Sequence, residues 1–155
     1  MTLARAVLET PFNAALVVQS NGAYIIDAQF SRTARAAKTI ADPLLREAQR
    51  QVRAYFRKRL ARFDLPLQFE GTPLQQDVWS FVAGLEFGQI VSYADLARCI
   101  GRPRAHRGVA AAMAKTPIDL FVPAHRVVGS DGTVRGAGPN SMRRKLLAFE
   151  GIILR

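Results

Sequence analysis

Leu120-Phe-Val-Pro-Ala-His-Arg-Val-Val-Gly-Ser-Asp-Gly132 is the stretch from which the rest of the chain can be read. Its apolar opening, Leu120–Val122, belongs in a core. Pro123 has no N–H to give to a ladder and stops regular pairing, so Ala124 and His125 fall on a turn. Gly129 and Ser130-Asp131-Gly132 make a second tight turn.

Moving upstream, Ser92-Tyr-Ala-Asp95 has the spacing of a capping box, with aspartate in place of the usual glutamate or glutamine. The helix it opens ends at Gly101. A second helix begins near Pro103 and runs to about Lys115. Two short helices around a glycine-containing turn read as helix-turn-helix. The same pattern occurs in helical proteins that touch no DNA, but Arg104 and Arg107 on the second helix move the balance toward DNA. Cys99 falls at the end of the first of these helices and is expected to be a packed core cysteine. Further upstream, Thr72 caps a helix running to about Leu85, with Pro73 in its first turn and Val78, Trp79, Phe81 and Val82 on its buried side. Downstream, a last helix spans about Met142–Phe149, carries Arg143, Arg144 and Lys145 near its start, and stops at Glu150-Gly151.

The N-terminal part has a different texture. Ala14–Val18 and Ala23–Phe30 are β-leaning runs separated by Ser20-Asn21-Gly22, a hairpin signal because Asn and Gly tolerate positive φ. A helix from about Asp42 to Arg59 follows, capped by Asp42, with Pro43 in its first turn and Leu45, Ala48, Val52, Tyr55 and Phe56 as its buried stripe. Arg46, Arg50, Arg53 and Arg57 lie on another of its faces. A solvated face is the first reading of that row, and a phosphate contact the second. Pro66, Gly71 and Pro73 interrupt helical periodicity in Phe63–Pro73 and mark a boundary. The expected class is therefore α/β (α+β). A small α/β domain with an antiparallel sheet covers residues 1–68, and a mainly helical domain covers residues 69–155.

Composition bounds the chemistry. With 155 residues and 49% apolar content the chain is an ordinary globular protein. No run approaches the ~20 apolar residues of a membrane span, and Met1–Phe12, carrying Arg5 and Glu9, does not read as a secretion signal. A net charge of +10 attracts polyanions, nucleic acid foremost. One cysteine excludes an internal disulfide, and with only His106 and His125 beside it no metal site can be built on familiar spacings. No cofactor, metal or membrane is expected. The single cysteine fits a reducing interior, cytoplasmic (nucleoid-associated) or nuclear.

Several ordered strings carry a family resemblance. Gly71-Thr-Pro-Leu-Gln-Gln-Asp-Val-Trp79, Ser92-Tyr-Ala-Asp-Leu-Ala97, Gly101-Arg-Pro103, Arg107-Gly-Val109, Ala112-Met113, Pro123-Ala-His-Arg-Val-Val128, Ser130-Asp-Gly132 and Leu146-Leu147…Glu150-Gly151 follow one another in the order and spacing of the O6-alkylguanine-DNA alkyltransferases. The chain resembles that family over residues 71–152, resembles its interdomain stretch over 42–70, and matches loosely from Thr10 onward. The family's motif is Pro-Cys-His-Arg, and this chain has alanine, Ala124, where the alkyl-accepting cysteine stands. Transfer needs a thiolate, because only ionised sulfur is nucleophilic enough to take an alkyl group from a guanine oxygen. A methyl side chain cannot do it.

The resemblance implies roles for other residues. Family members bind the minor groove through the helix-turn-helix, and an arginine matched by Arg107 enters the base stack while the damaged nucleotide rotates out. An ordinary phosphate contact is the plainer alternative for Arg107. Arg104 is a further expected DNA contact. Tyr93 matches a tyrosine that turns the target phosphate and lines the pocket; otherwise it is a packing aromatic at a helix start. The expected base pocket comprises Tyr93, Thr116, Pro123, Ala124, Val128, Ser130 and Ala137, with Ser130 also touching DNA. The helix-turn-helix and the Ala124 loop are expected to face one another across it. His125 and Glu150 match the family's proton relay. Without a thiol they have no proton to remove, and a hydrogen-bonded pair that fixes the loop is expected instead. Arg126 is expected to be an architectural ion-pair or hydrogen-bond donor.

The chain departs from the family pattern beyond Ala124. Thr116-Pro117 replaces Asn-Pro, Ala137 replaces a loop aromatic, and Pro139 replaces a glycine. Losing an aromatic wall removes a stack worth ~1–3 kcal/mol. These features together imply a non-enzymatic, monomeric protein that flips O6-alkylguanine in duplex DNA and marks it for other repair proteins, those of nucleotide excision repair being the candidates. Two alternatives stand beside it. One is a methylated-DNA–protein-cysteine methyltransferase with its acceptor replaced. The other is a repurposed domain acting as a regulator or small-molecule enzyme.

Overall fold

The structure, a computed structural model, describes residues 3–36, 39–134 and 141–153. It divides into two compact units, Met1–Phe69 with Pro117–Phe121, and Glu70–Thr116 with Val122–Arg155.

In the first unit, β1 (Ala4–Leu8), β2 (Ala15–Ser20) and β3 (Ile25–Ser31) form an antiparallel sheet in the order β1-β2-β3. Ala6 pairs with Val18, and Val18 with Ala28. Along β2 the pattern has period two, with Leu16, Val18 and Ser20 buried between half-exposed neighbours, so one face of the sheet is the core face. The hairpin between β2 and β3 is longer than the Asn-Gly dipeptide suggests. Asn21 N–H reaches the Tyr24 carbonyl, the Asn21 side-chain oxygen accepts from the N–H groups of Ala23 and Tyr24, and Gly22 has φ +95°. The turn therefore occupies four residues, held by the Asn21 side chain rather than by a two-residue hairpin loop.

Helix α1 (Pro43–Phe56) lies against β1 and β2. Asp42 caps it by accepting from Leu45 N–H, and Pro43 sits in the first turn. The helix ends three residues before the expected Arg59, because Lys58 turns left-handed (φ 59°) and Arg59 N–H returns to the Ala54 carbonyl. Its buried stripe is Leu45, Ala48, Gln51, Val52 and Tyr55, whereas Phe56 is half-buried. Gln51 is the unexpected member. Its amide donates to the Asp64 carbonyl (2.9 Å) and accepts from Asp64 N–H (2.8 Å), tying the following segment to the helix. Tyr55 then packs on Phe63 at a tilt, 5.4 Å between ring centres, and Phe63 meets Phe121 edge to face at 4.9 Å. Ile118 forms a bridge with Ala28, which is why Pro117–Phe121 belongs with this unit.

The second unit is built on α2 (Pro73–Ala83), α3 (Tyr93–Cys99), α4 (His106–Ala114) and α5 (Met142–Phe149). A two-residue parallel pairing joins β4 (Val91–Ser92) to β5 (Val127–Val128). Thr72 and Gln75 form a full capping box at α2, which buries Val78, Trp79 and Val82 and leaves Phe81 half-buried. Trp79 Nε1 donates to the Ala112 carbonyl at 3.0 Å, fixing α2 against α4. Gly108 makes that approach possible: a Cβ there would stand 2.6 Å from Leu74 Cδ2.

Candidate functional site

The site is assembled from the β4–β5 pairing outward. Val91 pairs with Val127 and Ser92 with Val128. Tyr93, the first residue of α3, thus follows directly on the residue paired with Val128, and the turn carrying Ala124 directly precedes β5. That turn is a single 3-10 turn, Ala124–Arg126, following Pro123. Pro123 and Val128 are buried, Ala124 and Tyr93 are half-buried, and Ser130 is exposed on the glycine turn after β5.

Behind the turn lies a buried ionic cluster. His125 and Arg126 are each 1% exposed, and the Glu150 side chain is inaccessible. His125 Nε2 stands 2.5 Å from Glu150 Oε2. Arg126 donates Nε–H to Oε1 at 2.9 Å and Nη2–H to Oε2 at 2.9 Å, a two-pronged clamp. Its Nη1 donates to the Leu85 carbonyl at 2.6 Å, and Gly88 N–H donates to Glu150 Oε1 at 2.8 Å. Burial alone would raise the Glu150 pKa, but the hydrogen bonds from His125 and Arg126, with that from Gly88, outweigh it and hold the carboxyl at about 2. Burial pushes the His125 pKa down, against the pull of Glu150. The consistent state at neutral pH is an ionised Glu150 paired with Arg126, and a neutral His125 donating Nε2–H to it. The Nδ1 lone pair is then left as an acceptor. Such a cluster can hold the Ala124 turn rigid; with a methyl group at position 124 it has no acid to deprotonate there.

Ser92 caps α3 by accepting from Asp95 N–H, but the reciprocal half of the expected box is replaced. The Asp95 carboxylate turns to Arg98 instead. The second helix of the pair starts three residues later than expected. Ala105 N–H bonds the Arg102 carbonyl, closing a turn with Pro103 at its second position. Arg104 therefore lies in the connecting turn, not on α4, while Arg107 lies in the first turn of α4, and both are exposed. Among the described residues neither makes an ion pair, whereas Arg102 binds Asp77 at 2.9 Å. Cys99, the last residue of the seven-residue α3, is exposed, not packed as expected. Thr116 Oγ1 donates to the Met113 carbonyl at 2.9 Å, closing the end of α4. Ala137 and Pro139 lie outside the described residues. Sequence reasoning missed the Leu85 carbonyl and Gly88 N–H as partners of the cluster, since backbone groups leave no side-chain signature. The φ of +80° at Gly88 is the one local sign.

Residues 73–152 match the model of the 6-O-methylguanine DNA methyltransferase, DNA binding domain. The chain belongs to this family. A methylated-DNA–protein-cysteine methyltransferase of Methanosarcina barkeri is 45% identical over 59% of this chain, and the chain spans 58% of that relative's length. One of Methanosarcina acetivorans is 39% identical over 71% of each chain. A single-residue variant of the Mycobacterium tuberculosis O6-methylguanine methyltransferase superposes with a TM-score of 0.81 at 29% identity, covering 96% of this chain and 93% of that one. The M. tuberculosis protein in complex with DNA gives 0.77 at 32% identity, covering 93% and 90%. Among the described residues no helix is long and apolar enough to cross a membrane, and no group of three His, Cys, Asp or Glu could hold a metal ion.

Proposed function

We propose that this chain is a non-transferring member of the methyltransferase family that recognises alkylated guanine in duplex DNA. α3 and α4 act as a helix-turn-helix in the minor groove. Arg107 fills the space left in the stack and bonds the bases left behind, while the lesion-bearing nucleotide rotates outward. Arg104 and Ser130 hold flanking DNA. The base enters a pocket bounded by Tyr93, Thr116, Pro123, Ala124, Val128, Ser130 and Ala137. The protein acts as a monomer in the cell's interior and leaves a bound lesion for other proteins, those of nucleotide excision repair being the class in view. A damaged base costs less to extrude than a paired one, which favours lesions before any pocket contact.

The observation that carries this reading is alanine on the 3-10 turn above an intact ionic cluster. Glu150 is committed to Arg126, His125 and Gly88, so these residues have structural work that does not need a thiol. Their persistence beside Ala124 then requires no catalysis. The test pairs binding with chemistry. O6-alkylguanine duplex should bind more tightly than undamaged duplex at every salt concentration, and mass spectrometry after incubation should find unmodified protein. Equal affinities would remove lesion recognition, and an alkylated protein would remove the non-transferring half.

One observation favours a second reading, an alkyltransferase whose acceptor has been replaced. His125 Nε2 is committed to Glu150, which in the neutral ring makes Nδ1 the acceptor that a neighbouring thiol would need for deprotonation. Ala124→Cys separates the two. Rapid stoichiometric dealkylation supports the replaced-acceptor reading. The reading proposed here expects little or no transfer, because Thr116, Ala137 and Pro139 also depart from the family pattern.

A further inference from the structure

We propose that the exposed face of α1, in the first unit, is a second binding surface for the phosphate backbone of duplex DNA. The inference takes duplex DNA as partner from the reading above but makes no use of its lesion site.

Arg46, Arg50, Arg53 and Arg57 recur at four-, three- and four-residue intervals, the spacing of one helical face, and all are exposed. Arg59 joins them beyond the helix end. Together with Gln49 and Ala54 they line a surface trough of about 400 Å³. Arg50 is held by Glu47. Among the described residues no acidic side chain pairs with Arg46, Arg53, Arg57 or Arg59. From Arg46 to Arg57 the row runs roughly 16 Å at the helical rise. Duplex DNA offers about one charge per 1.7 Å, so a stretch of that length presents roughly ten phosphates. The opposite face, Leu45, Ala48, Val52 and Tyr55, is buried, so the row stands on a fixed element.

Folding alone accounts for only half of this row. Cations at the C-terminal end of a helix are favoured by its macrodipole, which covers Arg53 in the last turn and Arg57 at the C-cap. That effect does not reach Arg46 and Arg50, which stand outside the last turn. The trough also tells phosphate from protein. A protein interface centres on aromatic or aliphatic anchors, and this lining has only Ala54. Planar guanidinium forks suit phosphate oxygens, and Gln49 adds a neutral hydrogen-bonding group.

The test uses the full chain and two variants that each remove four charges. R46Q/R53Q/R57Q/R59Q alters the proposed surface. R5Q/R32Q/R35Q/R62Q alters exposed arginines elsewhere in the same unit. Affinity for a long undamaged duplex is measured against salt concentration, with thermal unfolding to verify the fold. The α1 variant should flatten the slope of log K against log salt by roughly 3–4, about 0.9 for each phosphate no longer neutralised, and the control variant by much less. Equal flattening in both would show only a general field, and no flattening in the α1 variant would remove the surface; either overturns the proposal. Fluorescence of a base analogue beside O6-alkylguanine on a duplex just long enough for one lesion site is read in parallel. It should be the same in all three proteins. Its absence in the unaltered chain would defeat the lesion-reading function and leave the slope result standing.

Discussion

Replacing Glu150 with glutamine should unfold the chain far more readily, and by an amount the ionic cluster fixes. The carboxylate accepts from Arg126, His125 and Gly88, and its side chain is inaccessible to water. Glutamine keeps the shape and one acceptor oxygen but no charge, so Arg126 becomes a buried cation without a counter-ion and one of its two prongs meets an NH2 group instead of an acceptor. Breaking one side of a buried ion pair costs ~3–5 kcal/mol. The acidity of Glu150 gives an independent figure. Its pKa falls from 4.5 to about 2, which makes the ionised form worth about 3 kcal/mol to the folded state as an upper figure. Both place the loss at a few kcal/mol, on the order of 3. Because the folded pKa is depressed, this stability is fully present above pH 4.5 and is lost as pH falls through 2. The gap between wild type and Glu150→Gln should therefore be flat from neutrality down to about pH 5, and about 2 kcal/mol of it should be gone by about pH 3. His125, also depressed, adds a separate decline in both proteins that begins below its ordinary 6.5, as the unfolded chain takes up the proton first. Urea titrations across this pH range measure all of it. A neutral-pH difference under about 1 kcal/mol, or a gap that does not narrow in acid, would refute a charge-held cluster.

Three other perturbations read different parts of the molecule. Arg107→Ala should abolish most of the base-analogue fluorescence change on lesion DNA while lowering affinity for undamaged duplex only modestly; an unchanged fluorescence signal would count against the wedge role. Gly108→Ala places a methyl group 2.6 Å from Leu74 Cδ2, but the half-buried Leu74 end can turn aside and alanine gains ~1 kcal/mol over glycine in a helix, so urea unfolding should show a net change under about 1 kcal/mol; a loss above about 2 kcal/mol would mean that Leu74 cannot move. Gln51→Leu removes both bonds to Asp64 and leaves two backbone groups to find water, for roughly 1–3 kcal/mol; a neutral result would mean that the segment after α1 already reaches solvent.

The parts of the fold that were legible in the sequence are those governed by local chemistry. Asp42, Thr72 and Ser92 each accept from a backbone N–H at a helix start, because a short oxygen-bearing side chain at that offset is a local solution to orphan donors. Limits set by distant partners were not legible. β1 is a five-residue strand whose sequence, Ala-Arg-Ala-Val-Leu, is unremarkable until β2 pairs with it. Gln51 reads as a surface residue until Asp64 closes on it. Arg104 reads as helical until the Arg102–Ala105 turn delays α4. At the site, the resemblance supplied His125, Arg126 and Glu150, and periodicity could not have done so: they are brought together from segments about 25 positions apart.

The same distance explains why losing a sulfur need not unmake the site. Glu150 sits at the end of α5 and bonds to a turn preceding β5 and to the loop after α2, so one carboxylate joins three segments of the second unit. Any substitution there must answer to folding before it answers to chemistry. Position 124 has no such duty: a half-buried methyl group on a 3-10 turn satisfies no partner and costs the scaffold nothing. Position 124 and the scaffold are thus separable at this site, and that separability is the physical condition that the proposed non-transferring function requires. It also sets the order of effects that mutation should reveal. Changes at Ala124 should have little effect on stability, and changes at Glu150 should lower stability whether or not any chemistry occurs.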